Sequence, residues 1–214
     1  MKEYIISLMR RLAFPEDAIS ALSDDAQKLL ENKECADGFG AIIGQYDKTE
    51  LCNYMAMLNE MKPLSEKAGI HEYSGALIMF LAMAKRLKLR YDERGLSEEM
   101  FYSSMADLKY KCEECRLVHG IFGSFVAPWF AGFFALQRFA FGRLQMEISK
   151  LGLECEYGGF HFTKESKIIN IHIPRTGTPL FHDEVVSSYH MAAEFFAPEF
   201  KNEPMLFACH SWLL

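Results

Sequence analysis

The hydrophobic period changes once along this 214-residue chain, and no other feature limits its fold as strongly. Up to about residue 142 the apolar residues recur at helical spacing. Beyond it they alternate with polar ones, as in strands with one buried face. Tyr4, Ile5, Leu8 and Leu12 form the first helical stripe. Phe14-Pro15 restarts the chain, and Glu16 and Asp17 suit the positive end of a second helix. Ala18, Leu22, Ala26, Leu29 and Leu30 continue it. Gly38, Gly40 and Gly44 predict a break. Asp47 followed by Glu50 then predicts a capping-box-like restart, with Leu51, Tyr54, Met55 and Leu58 as the apolar face. A further helix over 72–90 carries Leu77, Phe80, Leu81, Ala84 and Leu87. Ser97-Glu98-Glu99 opens one more, running to about Val118.

The later part reads differently. Leu144, Met146 and Ile148 alternate with polar residues. Leu153, Cys155 and Tyr157, then Phe160 and Phe162, alternate around Gly158-Gly159. Residues 168–173 are β-branched and stop at Pro174. These three runs predict strands. Residues 183–196 return to helical period through Val185, Val186, Tyr189, Ala193 and Phe196, and 205–209 read as a last strand. The expected class is α+β, with a helical domain over 1–140 and a β-β-β-α-β domain over 141–214.

Residues 117–137 contain no Asp, Glu, Lys or Arg. A run of that length can span a bilayer, with Arg138 and Arg143 as a flank. Pro128 and the glycines favour another reading, a turn at 120–123 followed by a short buried helix over 128–139, with proline tolerated at its start.

Apolar residues make up 50% of the chain and charged ones 24%, enough to bury a core. The 23 basic residues are outnumbered by 29 acidic ones, for a net charge of −6, which argues against a nucleic-acid partner. The N-terminus lacks the basic start, long apolar run and small-residue site of a secretion signal. The six cysteines are therefore read as reduced thiols of a cytoplasmic protein.

Few motifs carry chemistry. Cys112-Glu-Glu-Cys115 with His119 has zinc-ligand spacing, but no second close pair completes a tetrahedral set. In a helix the two thiols simply share a face, so no metal is expected. His172 and His210 stand on predicted strands or strand ends, where a neutral imidazole can act as a general base. Cys209 and Ser211 can share a strand face within reach of His172, a possible nucleophile–base pair. Gly158-Gly159 reads as a hairpin turn. Thr176-Gly-Thr-Pro179 precedes the amphipathic helix, whose start can bind an anion, or is a simple turn and cap. No phosphate-binding glycine loop of the usual nucleotide types occurs.

Four segments in order complete the reading: Phe141-Gly-Arg-Leu-Gln-Met-Glu147, Ile-Asn-Ile-His-Ile-Pro174, Ser187-Ser188 with Phe195-Phe196, and Phe-Ala-Cys-His-Ser-Trp-Leu-Leu214. Together they resemble a family of bacterial acyltransferase-domain proteins, in which a helical N-terminal domain precedes a domain like the GNAT N-acyltransferases. The resemblance implies a partial GNAT-like domain at the C-terminal end. It implies acyl transfer from acetyl-CoA or another acyl-CoA to a small-molecule amine, with no metal. The pantetheine arm would lie between two splayed parallel strands, and the diphosphate at a helix start. It makes His172 the best candidate base and Glu184 a weaker one, with His210, Ser211 and Trp212 positioning substrate. The GNAT diphosphate signature Q/R-x-x-G-x-G/A is absent. Residues 116–120 come closest, one residue too long. The chain is also shorter than the family leads one to expect, which predicts weak or absent turnover, or a homodimer formed through an exposed sheet edge. The alternative is a non-catalytic ligand-binding or protein-interaction protein.

Overall fold

The computed structural model describes residues 1–201 and 203–209. The chain divides into two compact units, Met1–Leu136 and Gln137–Leu214.

The first unit is helical: α1 (Lys2–Arg11), α2 (Glu16–Glu31), α3 (Lys33–Lys48), α4 (Tyr54–Lys67), α5 (Glu72–Glu93), α6 (Glu98–His119) and the short α7 (Ala131–Phe134). α5 is its axis. Its residues 74–84 are buried without a break, the pattern of a helix covered on all sides, and α1, α2, α3, α4 and α6 pack around it. Side chains cap four of the helices. Asn32, Asn53, His71 and Ser97 accept the backbone N–H of Cys35, Ala56, Tyr73 and Met100 at 3.0–3.1 Å, each satisfying a donor the helix cannot.

Two sequence expectations give way here. The glycines at 38–44 do not break the chain; α3 runs through them to Lys48. The penalty of glycine in a helix is about 1 kcal/mol each, and packing outweighs it. A Cβ at Gly38 would meet the Leu64 side chain at 3.0 Å, so that glycine lets α3 and α4 approach. The restart falls at Asn53, not Asp47.

The charge-free run is divided rather than continuous. α6 ends at Gly120, whose φ of +75° closes the helix in the left-handed region. Ser124 N–H then donates to the Tyr73 carbonyl at 3.0 Å. A 3-10 turn over Ala127–Phe130 leads into α7, and the Trp129 indole donates to the buried Asp107 carboxylate at 2.9 Å. Among the described residues no helix is long and apolar enough to cross a membrane. The helix expected to reach residue 139 stops at Phe134, because 138–141 pair as a strand.

The second unit holds β1 (Arg138–Phe141), β2 (Leu144–Lys150), β3 (Cys155–Tyr157), β4 (Phe160–Phe162), β5 (Lys167–His172), α8 (His182–Phe200) and β6 (Leu206–Ala208). The main sheet has the order β1-β2-β5-β6. Its first three strands are antiparallel, while β5 and β6 run parallel through the α8 crossover. β3 and β4 form a separate hairpin, with positive φ at both Gly158 and Gly159 as a type I′ turn requires. Alternation sorts the main sheet into two faces. Phe139 and Phe141 turn toward α8, where they pack on Phe195 and Phe196 at ring distances of 5.0–6.5 Å. Arg138, Glu147, Asn170 and His172 therefore turn to the other face.

Candidate active site

Strand register assembles the site. Arg138 on β1 lies opposite Glu147 on β2, and Glu147 lies opposite Asn170 on β5. Gln145 lies opposite His172. Five polar side chains thus form a patch on one face, beside the apolar cluster of Leu151, Phe162 and Ile168. Arg138, Gln145 and Asn170 are all under 9% exposed.

The patch is bonded through Glu147. One guanidinium nitrogen of Arg138, Nη2, donates to both carboxylate oxygens, at 2.9 and 3.0 Å. The first of these oxygens also meets His172 Nε2 at 2.8 Å. Burial alone pushes the Glu147 carboxyl up. The hydrogen bonds from His172 and Arg138, with the Arg138 charge, more than offset this and hold it at about 2. Glu147 is therefore a carboxylate at neutral pH and can only accept, so His172 Nε2 carries the proton it shares with it. That leaves Nδ1 as the ring nitrogen able to take a proton from substrate. Asn170 Nδ2 lies 3.2 Å from the same Nε2. Two donors cannot bond, so the amide serves His172 through its oxygen when turned over. The arrangement is that of an imidazole whose tautomer is set by a carboxylate, itself fixed by a guanidinium.

β5 and β6 pair from Ile168 with Leu206 to Asn170 with Ala208, while β5 continues to His172. The loop over 173–181 then leads to α8, whose first turn carries Asp183 and Glu184.

The residues singled out in sequence fall in three places. His172 lies at the end of β5 within the polar cluster. Glu184 is exposed on α8, the helix packed on the opposite face. His210, Ser211 and Trp212 lie outside the described residues. Glu147, Arg138 and Asn170 were not singled out. Asn170 is two positions from His172 on one strand and was open to the same alternation argument. Glu147 needed the β2–β5 register, and Arg138 needed β1. The cysteine motif lies on α6, where burial pushes the Cys112 thiol up to about 12 and raises Cys115 as well; among the described residues no cluster of three or more His, Cys, Asp or Glu side chains suits a metal.

Comparison with known proteins agrees with this architecture. The model of an N-acyltransferase N-terminal domain matches residues 3–136, and that of a GNAT-like C-terminal domain matches 138–214. Similar solved structures are acyltransferases. A substituted variant in complex with octanoyl-CoA has a TM-score of 0.67 at 19% identity, over 93% of this chain and 58% of its own. An acyltransferase in complex with decanoyl-CoA and teicoplanin has a TM-score of 0.63 at 20% identity, with the same coverage. Another, in complex with decanoyl-CoA, has a TM-score of 0.62 at 17% identity, over 98% of this chain and 74% of its own. This chain thus spans 58% of the length of the first two. No curated protein matches it in sequence. The two domain matches together cover nearly the whole chain, and it belongs to the N-acyltransferases that join a helical N-terminal domain to a GNAT-like C-terminal domain.

Proposed function

We propose that this protein moves an acyl group from an acyl-CoA to an amine, with His172 as the general base. The observation that carries the reading is the Arg138–Glu147–His172 relay, which places His172 at the end of β5. The amine nitrogen attacks the thioester carbonyl carbon and forms the new C–N bond. His172 Nδ1 takes the proton that the nitrogen loses, and the tetrahedral intermediate collapses with cleavage of the C–S bond. The coenzyme A thiolate leaves and takes a proton, returning the imidazole to neutrality. Glu147 holds the ring in the tautomer that leaves Nδ1 basic, and its negative charge steadies the imidazolium. Arg138 keeps Glu147 ionised.

The pantetheine arm lies between β5 and β6, and the diphosphate meets the loop over 173–181. Complexes of the structural neighbours with octanoyl-CoA and decanoyl-CoA support a medium-chain acyl donor as the first to test. Glu184, exposed and acidic in the first turn of α8, has no comparable relay in this reading, so the base is His172.

Turnover of octanoyl-CoA with a panel of primary amines, followed by mass spectrometry of the amide and the released thiol, tests this. His172→Ala is expected to lower the rate about 10²-fold or more while leaving acyl-CoA binding intact. An unchanged rate removes His172 from the role. Binding without turnover by the unaltered protein supports a ligand-binding function instead.

A further inference from the structure

The loop expected to meet the coenzyme diphosphate has only one glycine, Gly177, and lacks the glycine signature that shapes such loops. Within it the Thr176 N–H donates to the Pro174 carbonyl at 3.0 Å and the Thr178 N–H to Thr176 Oγ1 at 3.4 Å, and its two ends are tied from outside. Arg143 sits in the turn between β1 and β2, after Gly142, whose φ is +56°. A Cβ at Gly142 would meet Ser188 Oγ at 3.2 Å. The Arg143 backbone N–H donates to Ser188 Oγ at 3.1 Å, and that buried hydroxyl donates to the Glu184 carbonyl at 2.8 Å. The turn is thereby fastened to the first turns of α8. The side chain fastens the loop. Nη1 donates to the Pro174 carbonyl at 3.2 Å, and Nη2 donates to the Thr178 carbonyl at 2.9 Å. One planar fork spans both ends of 174–178.

This changes what the loop presents. The described residues contain no cis peptide, and in a trans peptide the C=O and N–H point in opposite directions. With the Pro174 carbonyl turned to Arg143, the Arg175 N–H points away from it. The guanidinium occupies two acceptors that would repel a phosphate. Gly177, at φ +78°, lets the chain turn between them, and the Thr176 and Thr178 hydroxyls bond each other at 2.8 Å. Asp183 and Glu184 oppose an anion at the start of α8, so the loop needs this support.

We propose that Arg143 is the positioning residue for the coenzyme's diphosphate, acting by bridging the carbonyls of Pro174 and Thr178. This rests on the coenzyme reading above. A lysine keeps the charge but is a point donor that cannot bridge two carbonyls, so Arg143→Lys separates the clamp from simple attraction. Calorimetry with CoA, and ligand-observed NMR with pantetheine, which lacks the diphosphate, read the effect. Arg143→Lys is expected to weaken CoA about tenfold or more and to leave pantetheine within about twofold. Unchanged CoA affinity overturns the proposal, as does an equal loss for both ligands, which marks a general structural role. If the variant does not fold, hydrogen exchange on the unaltered protein decides: CoA is expected to protect the amides of Arg175 and Gly177, and no protection there overturns the proposal. An unaltered protein that binds no CoA contradicts the coenzyme reading and this inference together. Binding with an unaffected Lys variant contradicts this inference alone.

Discussion

Glu147 joins the buried Arg138 guanidinium to the His172 ring, so its replacement has consequences that can be separated. In Glu147→Gln the Arg138 guanidinium stays buried while its counter-charge goes. Breaking a buried pair from one side costs about 3 kcal/mol, and chemical denaturation at neutral pH should show a loss of that size. The pH dependence has a definite sign. The folded-state value of Glu147 lies at about 2, below its ordinary 4.5. The stabilisation is therefore fully present above about pH 4.5 and is lost as pH falls toward 2. Denaturation midpoints measured across that window should fall more steeply for the unaltered protein than for Glu147→Gln. Equal slopes would contradict the ionised carboxylate. His172 was legible in the sequence because an imidazole at a strand end is chemically conspicuous. Its partner was not, because Glu147 is 25 residues away and meets it only through a register that turn geometry sets.

Elements were legible where one period dominates and illegible where packing overrides it. α6 starts at the Ser97 cap the sequence offers, and α5 covers the expected span, though it is buried all round rather than along one stripe. α3 does not keep to its expected span, because glycines that signal a break in isolation serve a close approach here. β1 was hidden for a related reason. Arg-Phe-Ala-Phe closes an apolar run that reads as a buried helix, and only pairing with β2 makes it a strand. Two glycines give contrasting expectations. A Cβ at Gly123 would lie 2.4 Å from the Tyr73 carbonyl carbon, in backbone that cannot step aside, whereas one at Gly40 meets nothing within 4 Å. Gly123→Ala is expected to destabilise by about 2 kcal/mol or more through overpacking. Gly40→Ala, inside α3, should stabilise by about 0.5–1 kcal/mol through helix propensity. Thermal melts of both variants check this, and a destabilised Gly40→Ala would contradict the placement of α3.

For the whole molecule, the two family domains fall on the two compact units, Met1–Leu136 and Gln137–Leu214, so architecture and family tell the same story. The helical unit was readable as a class from its period. The second unit was readable as mixed, but its strand order was not, because the parallel β5–β6 pair depends on a crossover that no local signal reveals. The central claim is that the second unit takes up an acyl-CoA beside His172. Native mass spectrometry of the purified protein with octanoyl-CoA tests it most directly. The account expects a one-to-one adduct that free CoA displaces and that His172→Ala retains. A folded protein showing no adduct at concentrations well above the micromolar range would contradict it.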